Sequence, residues 1–578
     1  MRPLRLLFRM AAGLVLVGAV SAQILPLDQV RAGQRGVGRT VFAGDRVEEF
    51  QVEILGVLEN VGPKQSLILG RLSGGPLAET GVMAGMSGSP VYIDGKLAGA
   101  VAFSFPFSTE PLAGIRPIED MLREDASARV EPARPSLPEL LAGDRSILPG
   151  PSGTRTAERM IPIATPVSFG GFTERTIEVF GDQLRALGLR PVQGVGGQAR
   201  DGGSAAVEPG SMISVGMLRG DLSMSAAGTV TQVEGDRLWA FGHAFLSTGP
   251  LELPMMRASV LTLVPNVQNS FKLAGEGALI GKVTLDRTAG IAGSLGPGPS
   301  MVPFRLRVNG QTYDMEAVRD PFLTPFLLQI ATFSAIDAEQ RQLGPSSLRI
   351  HGRVSFADAP PLELDDLYSG ASGVAQQAAI GTAAPLAFLQ QTAPADLNVE
   401  RIEIDIDAAP QDRRIRVTGA WTDRRRMQAG ETVKISVALR GPGADERTVR
   451  ELEWTAPAAI APGPLQLTLS DAARLNTTEF PLLLEAGTLT PSELVHAVNR
   501  LRRSDALYLR VWRSGVGFRV QAQRMEQVPA SLRTILESPQ GAAGGASPES
   551  YEVLAELNVA TFNGVVDGVL SLPLEITQ

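Results

Sequence analysis

The chain of 578 residues contains no cysteine and only three histidines. The lack of cysteine excludes disulfide bonds, thiolate metal sites and a lipid-modified N-terminal cysteine. The three scattered histidines do not have the spacing of a metal centre, so neither a metal nor another cofactor is expected. Aromatic residues make up only 5% of the chain, whereas glycine (62) and proline (41) are abundant. This composition favours many short strands and turns over long helical bundles.

The chain also has no excess of basic residues: 53 lysines and arginines face 61 acidic residues, and the formal net charge is −8. Residues 1–22 combine three arginines with a short apolar run and end in small residues, which is typical of a cleavable signal peptide. An uncleaved anchor is the alternative, although the run is short for a bilayer span. Cleavage would remove three arginines and no acids, so the net charge would become −11. We therefore expect a periplasmic or extracellular protein with no nucleic-acid partner and no stable membrane span after cleavage.

Composition and hydrophobic alternation predict a mainly β protein with several units. After the signal peptide, the predicted units are a serine-motif β region (23–126), a Pro/Ala-rich linker (127–159), a histidine-motif β region (160–357), an Ala-rich connector (358–398) and a C-terminal β domain with one helix (399–578). Alternating strands in the last unit predict a β-sandwich-like domain, and a capping box from Thr490 to Glu493 predicts where its helix begins. We find no convincing internal repeat.

The most informative motif is GMSGSP, Gly85 to Pro90, which precedes a hairpin with an Asp-Gly turn. Glycines beside Ser87 permit close approach of a substrate and backbone angles that other residues avoid. Consecutive N–H groups can then point at one spot, so Gly85 and Met86 are the predicted oxyanion hole and Ser87 the predicted nucleophile. The alternative is a glycine-rich hairpin without chemistry.

A serine hydroxyl needs a base, and an imidazole is the usual one. His243 follows a predicted strand in a Phe-Gly-His segment and is the best candidate, because His351 lies in an ordinary strand and His496 on a helix. A serine-lysine pair would require Lys96, but about six extended residues, or roughly 20 Å, separate the hairpin turn from Ser87. The residues therefore favour Ser87 with His243.

These segments resemble the SpoIVB-type family of bacterial serine peptidases, in which GMSGSP carries the nucleophile and a GH motif after a strand carries the base. Three stretches match, at residues 85–101, 228–243 and 280–293. The resemblance implies that Ser87 is the nucleophile and His243 the general base. The hairpin is also similar to the nucleophile loop of trypsin-like peptidases, which implies a chymotrypsin-like double β-barrel peptidase core.

Two departures qualify that expectation. Ser87 lies 156 residues before His243, whereas in the family the histidine segment comes first, so the core is expected to be permuted. The family places an acid shortly before its serine motif, where this chain has no aspartate. Glu79, Asp221 and Asp236 are the candidates to orient His243. The expected function is an exported serine endopeptidase acting on a polypeptide substrate or regulatory protein of the cell envelope. The alternative is a weakly active or inactive peptidase-like protein that binds or scaffolds.

Overall fold

A computed structural model describes most of the chain after the predicted signal peptide. The described ranges are 23–62, 65–123, 160–194, 206–267, 269–339, 344–393, 397–441, 447–485, 489–520, 523–525, 528–543 and 546–578. The predicted signal peptide (1–22) and the predicted linker (127–159) lie outside these residues. The protein is mainly β, with 55% strand and 18% helix, which confirms the predicted fold class.

The serine-motif region forms a closed six-stranded antiparallel barrel. Its strands are β1 Arg35–Val41, β2 Val47–Gly62, β3 Gln65–Ser73, β4 Pro90–Ile93, β5 Lys96–Ser104 and β6 Leu112–Pro117. The ring order is β1-β2-β3-β6-β5-β4, and the pairing of β4 with β1 closes it. Alternate residues of β2, Phe50, Val52 and Ile54, point into the core. Short helical turns lie at Leu27–Gln29, Leu77–Thr80 and Ile118–Leu122.

The histidine-motif region contains a second closed ring of six antiparallel strands. Strands β7 to β15 are Ile161–Pro162, Thr165–Gly170, Leu189–Gln193, Met212–Gly220, Ser223–Glu234, Arg237–Ala240, Gly249–Val264, Phe271–Arg287 and Gly290–Leu295. The ring is β10-β11-β12-β15-β14-β13, closed by the pairing of β13 with β10. Counted from its own first strand, each barrel therefore has the order 1-2-3-6-5-4.

The second barrel continues into a larger sheet covered by helices. Strands β16 to β20 are Met301–Val308, Gln311–Val318, Ser346–Phe356, Leu362–Gly370 and Val399–Ala409, and β17 joins them to β10. The helices are Glu174–Ala186, Leu323–Glu339 and Val374–Thr392. The first of them, Glu174–Ala186, buries Phe180 and Leu184 in the shared core.

The C-terminal domain is a two-sheet β-sandwich. Strands β21 to β30 are Arg414–Thr422, Arg426–Gln428, Thr432–Arg440, Thr448–Thr455, Gly463–Asp471, Ala506–Val520, Gln523–Met525, Ala546–Thr561, Val565–Asp567 and Val569–Thr577. Side chains from both sheets, such as Val433 and Leu467, share one buried cluster. Thr490 caps the helix Pro491–Asn499 through the predicted capping box with Glu493.

The structure places two unit boundaries differently from the prediction. The predicted connector, 358–398, contains β19 and the buried helix Val374–Thr392, because its alanines pack into the core of the second region. Strand β20 belongs to that same sheet and not to the C-terminal domain. That domain also has more than the one predicted helix, namely Ala472–Glu485, Pro491–Asn499, Ala530–Leu536 and Pro539–Ala543.

Across the described ranges, none of the helices combines the length and apolar character needed to span a bilayer.

Candidate active site

Ser87 lies on the loop between the third and fourth strands of the first barrel, residues 83–89, here called the serine loop. The hairpin of β4 and β5 follows, and its turn residues Asp94 and Gly95 both have positive φ, as a type I′ turn requires. The N–H of Gly88 donates to Val101 O on β5 at 2.8 Å, and within the loop Ser89 N–H donates to Met86 O at 2.9 Å. The predicted hairpin therefore holds the loop from one side.

The second barrel holds the serine loop from the other side through β11. The N–H of Thr229 donates to Ser87 O at 2.9 Å. The hydroxyl of Thr229 donates to Gly85 O at 2.9 Å, and that of Thr231 to Gly88 O at 2.7 Å. The approach is so close that a Cβ on Gly88 would lie 2.0 Å from Thr229 O. The backbone of the loop is therefore fixed across the boundary between the barrels.

Ser87 itself is fully buried, and its Oγ has no hydrogen-bond partner among the described residues. Of the two predicted oxyanion donors, Met86 N–H already donates to Met83 O at 3.1 Å. The amides of Gly85 and Ser87 have no acceptor within the described ranges. Buried polar groups without a hydrogen-bond partner are energetically costly and often mark functional sites. The Ser87 hydroxyl and these two amides are therefore free to hydrogen-bond to a substrate.

His243 lies between the third and fourth strands of the second barrel. The two residues before it, Phe241 and Gly242, both have positive φ, at 73° and 69°, and a non-glycine residue in this region is strained. His243 Nδ1 lies 2.8 Å from Ala244 O. Because a carbonyl only accepts, Nδ1 carries the proton and Nε2 keeps its lone pair. Nε2 is buried and has no partner in the described chain.

The structure brings the serine and histidine segments together at the boundary between the barrels. A Cβ on Gly88 would lie 2.5 Å from Phe241 N, and one on Gly242 would lie 3.1 Å from Ala102 Cβ in β5. Ser87 Oγ and His243 Nε2 do not hydrogen-bond to each other, since both atoms are unpartnered. Formation of the pair therefore requires a movement of one or both side chains, and hydrogen bonds of unliganded catalytic sites are commonly long or unformed.

The pKa of His243 is lowered to about 4, mainly by burial and also by the charge of Arg116, while the hydrogen bond to Ala244 opposes the shift. Arg116 is itself buried, with Nε 3.5 Å from Gly242 O and its guanidinium 5.0 Å from the centre of the Phe103 ring. The carboxylate of Asp120 is 3.9 Å from the Arg116 guanidinium. The environment thus favours neutral imidazole, which can accept a proton but gains no carboxylate to stabilise the imidazolium.

Replacement of Arg116 by glutamine is expected to raise the pKa of His243, because it removes a neighbouring positive charge. The measurement is an imidazole NMR titration, which three histidines keep simple, with His243→Gln identifying the resonance. Since the folded pKa lies below 6.5, stability should fall as the pH drops from 6.5 to 4, and less steeply in the variant. An unchanged His243 titration would show that the Arg116 charge does not act on the ring.

Asp286, near the end of β14, supports the chain that follows His243. Its buried carboxylate accepts from Phe245 N–H at 2.8 Å and Leu246 N–H at 2.6 Å, and also from Thr248 N–H at 3.3 Å. Burial raises the pKa of Asp286, although these backbone donors oppose the shift. Asp286 does not contact the imidazole and acts as a positioning residue for residues 245–248.

The three acids considered from the sequence, Glu79, Asp221 and Asp236, lie at exposed positions. None bonds to the His243 ring, whose Nδ1 is engaged with a backbone carbonyl and whose Nε2 is unpartnered. Lys96 pairs with Ile93 at the end of the hairpin next to its turn.

The other two histidines lie away from the boundary. His351 is exposed on β18 beside Asp365, and His496 is exposed on its helix.

Sequence reasoning missed the charged residues Arg116, Lys272 and Asp286 at this site. All three are buried, and each lies within or at the end of a strand. Arg116 interrupts the apolar stretch of β6, and Lys272 stands between Phe271 and Leu273. A charged residue between apolar neighbours in a strand is a signal of such a buried charge. Alternation alone does not use this signal, because it does not show that a second barrel covers the outward face of the strand.

The two barrels, with a serine and a histidine at matching positions, are consistent with the fold of a barrel-type peptidase. Residues 19–122 match the model of the SpoIVB peptidase S55 family, which confirms the predicted resemblance and supports a SpoIVB-like serine peptidase in general. The match includes the serine loop and ends before His243. No curated protein and no solved structure was found to match the chain.

Proposed function

We propose that the protein is an exported serine endopeptidase that cleaves polypeptide substrates through an acyl-enzyme, with Ser87 as nucleophile and His243 as general base. The observation that carries this proposal is the pair of buried, unpartnered atoms, Ser87 Oγ and His243 Nε2, held at one boundary between two barrels. The tautomer fixed by Ala244 O leaves Nε2 as the proton acceptor.

In the first step, Ser87 Oγ bonds to the scissile carbonyl carbon while its proton passes to His243 Nε2. The C–N bond then breaks, the amine leaves with that proton, and the acyl group remains on Ser87. Water hydrolyses this ester by the same route in reverse. Of the two predicted oxyanion donors, the Gly85 amide has no acceptor in the described chain, whereas the Met86 amide is engaged with Met83. The Ser87 amide also has no acceptor there and is the second donor that we propose.

Incubation with a fluorophosphonate probe tests the nucleophile. The expected result is labelling of the wild type and of Ser73→Ala, an exposed serine on β3 of the same barrel, with complete loss of labelling in Ser87→Ala. His243→Gln should lower the labelling rate by a factor of 100 or more, within the range of general-base effects of about 10² to 10⁴. Absence of labelling in folded wild type would contradict the proposal.

The second candidate is a weakly active or inactive envelope protein that binds or scaffolds a partner through its peptidase-like core. It is favoured by one observation: the His243 ring meets a carbonyl and a neighbouring arginine charge instead of a carboxylate. In that case wild type and Ser87→Ala would capture the same partner equally well, without cleavage products. Loss of function on Ser87→Ala alone would exclude it.

A further inference from the structure

Lys272, on β14 of the second barrel, contacts the beginning of the serine loop directly and its end through a threonine. Its backbone N–H donates to Ala84 O at 3.0 Å, and Ala84 N–H donates to Ser270 O at 2.9 Å. Its methylene chain lies under Gly85, where an added Cβ would be 3.2 Å from Lys272 Cβ and Cδ. Backbone and side chain of one residue thus fix the beginning of the loop.

The amine of Lys272 reaches the end of the same loop through a threonine. Nζ donates to Thr40 Oγ1 at 2.7 Å, and Ser89 Oγ donates to the same oxygen at 3.0 Å. All three side chains are buried. A relay of polar groups therefore links Lys272 to Ser89, two residues after the nucleophile.

The surroundings of the Lys272 amine contain no compensating charge. Within the described ranges the amine hydrogen-bonds to the Thr40 hydroxyl and lies over the face of the Phe42 ring, whose centre is 5.9 Å from Nζ. No carboxylate, histidine or arginine of the described residues acts on it, and Arg190, the cation packed nearby over Phe271, donates to Asn269 O. Burial alone lowers the pKa of Lys272 to about 7. An unpaired ammonium is costly in such a place, whereas a neutral amine can remain there.

We propose that Lys272 is a positioning residue for the nucleophile, and that it holds the serine loop in place only while its amine is uncharged. Acidification then charges the amine and loosens residues 83–89 from the second barrel. The part of this inference that concerns reactivity rests on the proposed function. The loss of Ser87 reactivity on acidification is thereby attributed to protonation of Lys272 near pH 7, because the imidazole of His243 remains neutral to a lower pH.

The first test measures the lysine directly in the wild type. The chain has only five lysines, so a ¹³Cε-lysine NMR titration is simple, and Lys272→Met identifies the resonance. The expected midpoint is near 7, and a midpoint above 9 would overturn the proposal. Because the folded pKa lies below 10.5, stability should rise with pH from about 7 to 10.5. Lys272→Met should therefore melt several degrees above wild type at pH 6, and the gap should close by pH 10. A lower melting temperature at every pH would overturn it.

The second test measures the loop without relying on activity. Hydrogen–deuterium exchange of residues 83–89, corrected for intrinsic rates, should speed up at least tenfold in wild type between pH 8 and 5.5. It should change less than twofold in Lys272→Met, while Lys96→Met, which removes a lysine of the adjacent hairpin, should behave as wild type. Parallel changes in wild type and Lys272→Met would overturn the proposal. If Lys272→Met does not fold, the wild-type titration and exchange still decide.

Fluorophosphonate labelling supplies the functional readout. Labelling of wild type should fall at least tenfold between pH 8 and 5.5, and that of Lys272→Met less than twofold. If both proteins lose labelling in parallel, Lys272 does not control the nucleophile. If wild type is unlabelled at every pH, the proposed peptidase function fails, whereas the titration and exchange still test the lysine.

Discussion

Replacement of Gly88 by alanine is expected to destabilise the protein by more than about 4 kcal/mol and to abolish labelling of Ser87. The added Cβ would lie 2.0 Å from Thr229 O and 2.5 Å from Phe241 N, both of them backbone atoms that cannot rotate away. The residue also has φ +93, which an alanine adopts only with strain. The serine loop must therefore leave β11, and Ser87 moves away from His243. Chemical denaturation and the labelling assay measure the two effects.

Gly95→Ala is the matched control for this prediction. Gly95 also has a positive φ, +76, but an added Cβ would meet nothing within 4 Å. Its cost should be limited to backbone strain, about 1 kcal/mol, with labelling retained. The difference between the variants isolates the contact between barrels. Equal costs would show that Gly88 is needed for its backbone angles alone.

Asp286→Asn is expected to lower the free energy of unfolding by about 3 kcal/mol and to lower the labelling of Ser87 strongly. The amide keeps one acceptor oxygen but presents an NH₂ group to backbone N–H groups that now donate to a carboxylate. Residues 245–248 lose their anchor, and His243, two residues before them, loses its fixed position. Denaturation, labelling and the imidazole spectrum of His243 report the three consequences.

Asp236→Asn serves as the control, because Asp236 is exposed in the turn before β12. A surface change of this kind should alter stability by no more than about 0.5 kcal/mol. If Asp286→Asn were equally mild, the carboxylate would be dispensable for holding the histidine segment. Loss of stability with an unchanged His243 spectrum would confine its role to folding.

Local patterns in the sequence predicted the Asp-Gly turn of the hairpin and the start of the helix Pro491–Asn499. The helix Leu323–Glu339 could not be found this way, because it is apolar on all sides and has no helical periodicity. The isoleucines of β20 predicted a strand but not its sheet, since alternation shows which face is buried and not what buries it.

At the site, residue chemistry and spacing indicated Ser87 and His243, and the structure brings their segments to one boundary. The buried charged residues around this pair could not be predicted from the sequence, for a physical reason. Arg116, Lys272 and Asp286 act through burial and through backbone groups distant in sequence. The sequence also offered exposed acids as partners for His243, whereas a main-chain carbonyl fixes its tautomer, and carbonyls carry no sequence signature.

The shared ring order places Ser87 and His243 at equivalent points, each after the third strand of its own barrel. Under the proposed function, neither barrel alone contains the reactive pair, which exists only where the two barrels are docked. Chemistry in this architecture is conditional on tertiary assembly. Any influence that loosens the hydrogen bonds from Thr229 and Thr231 to the serine loop would then separate Ser87 from His243 and abolish the proposed activity while both barrels remain folded.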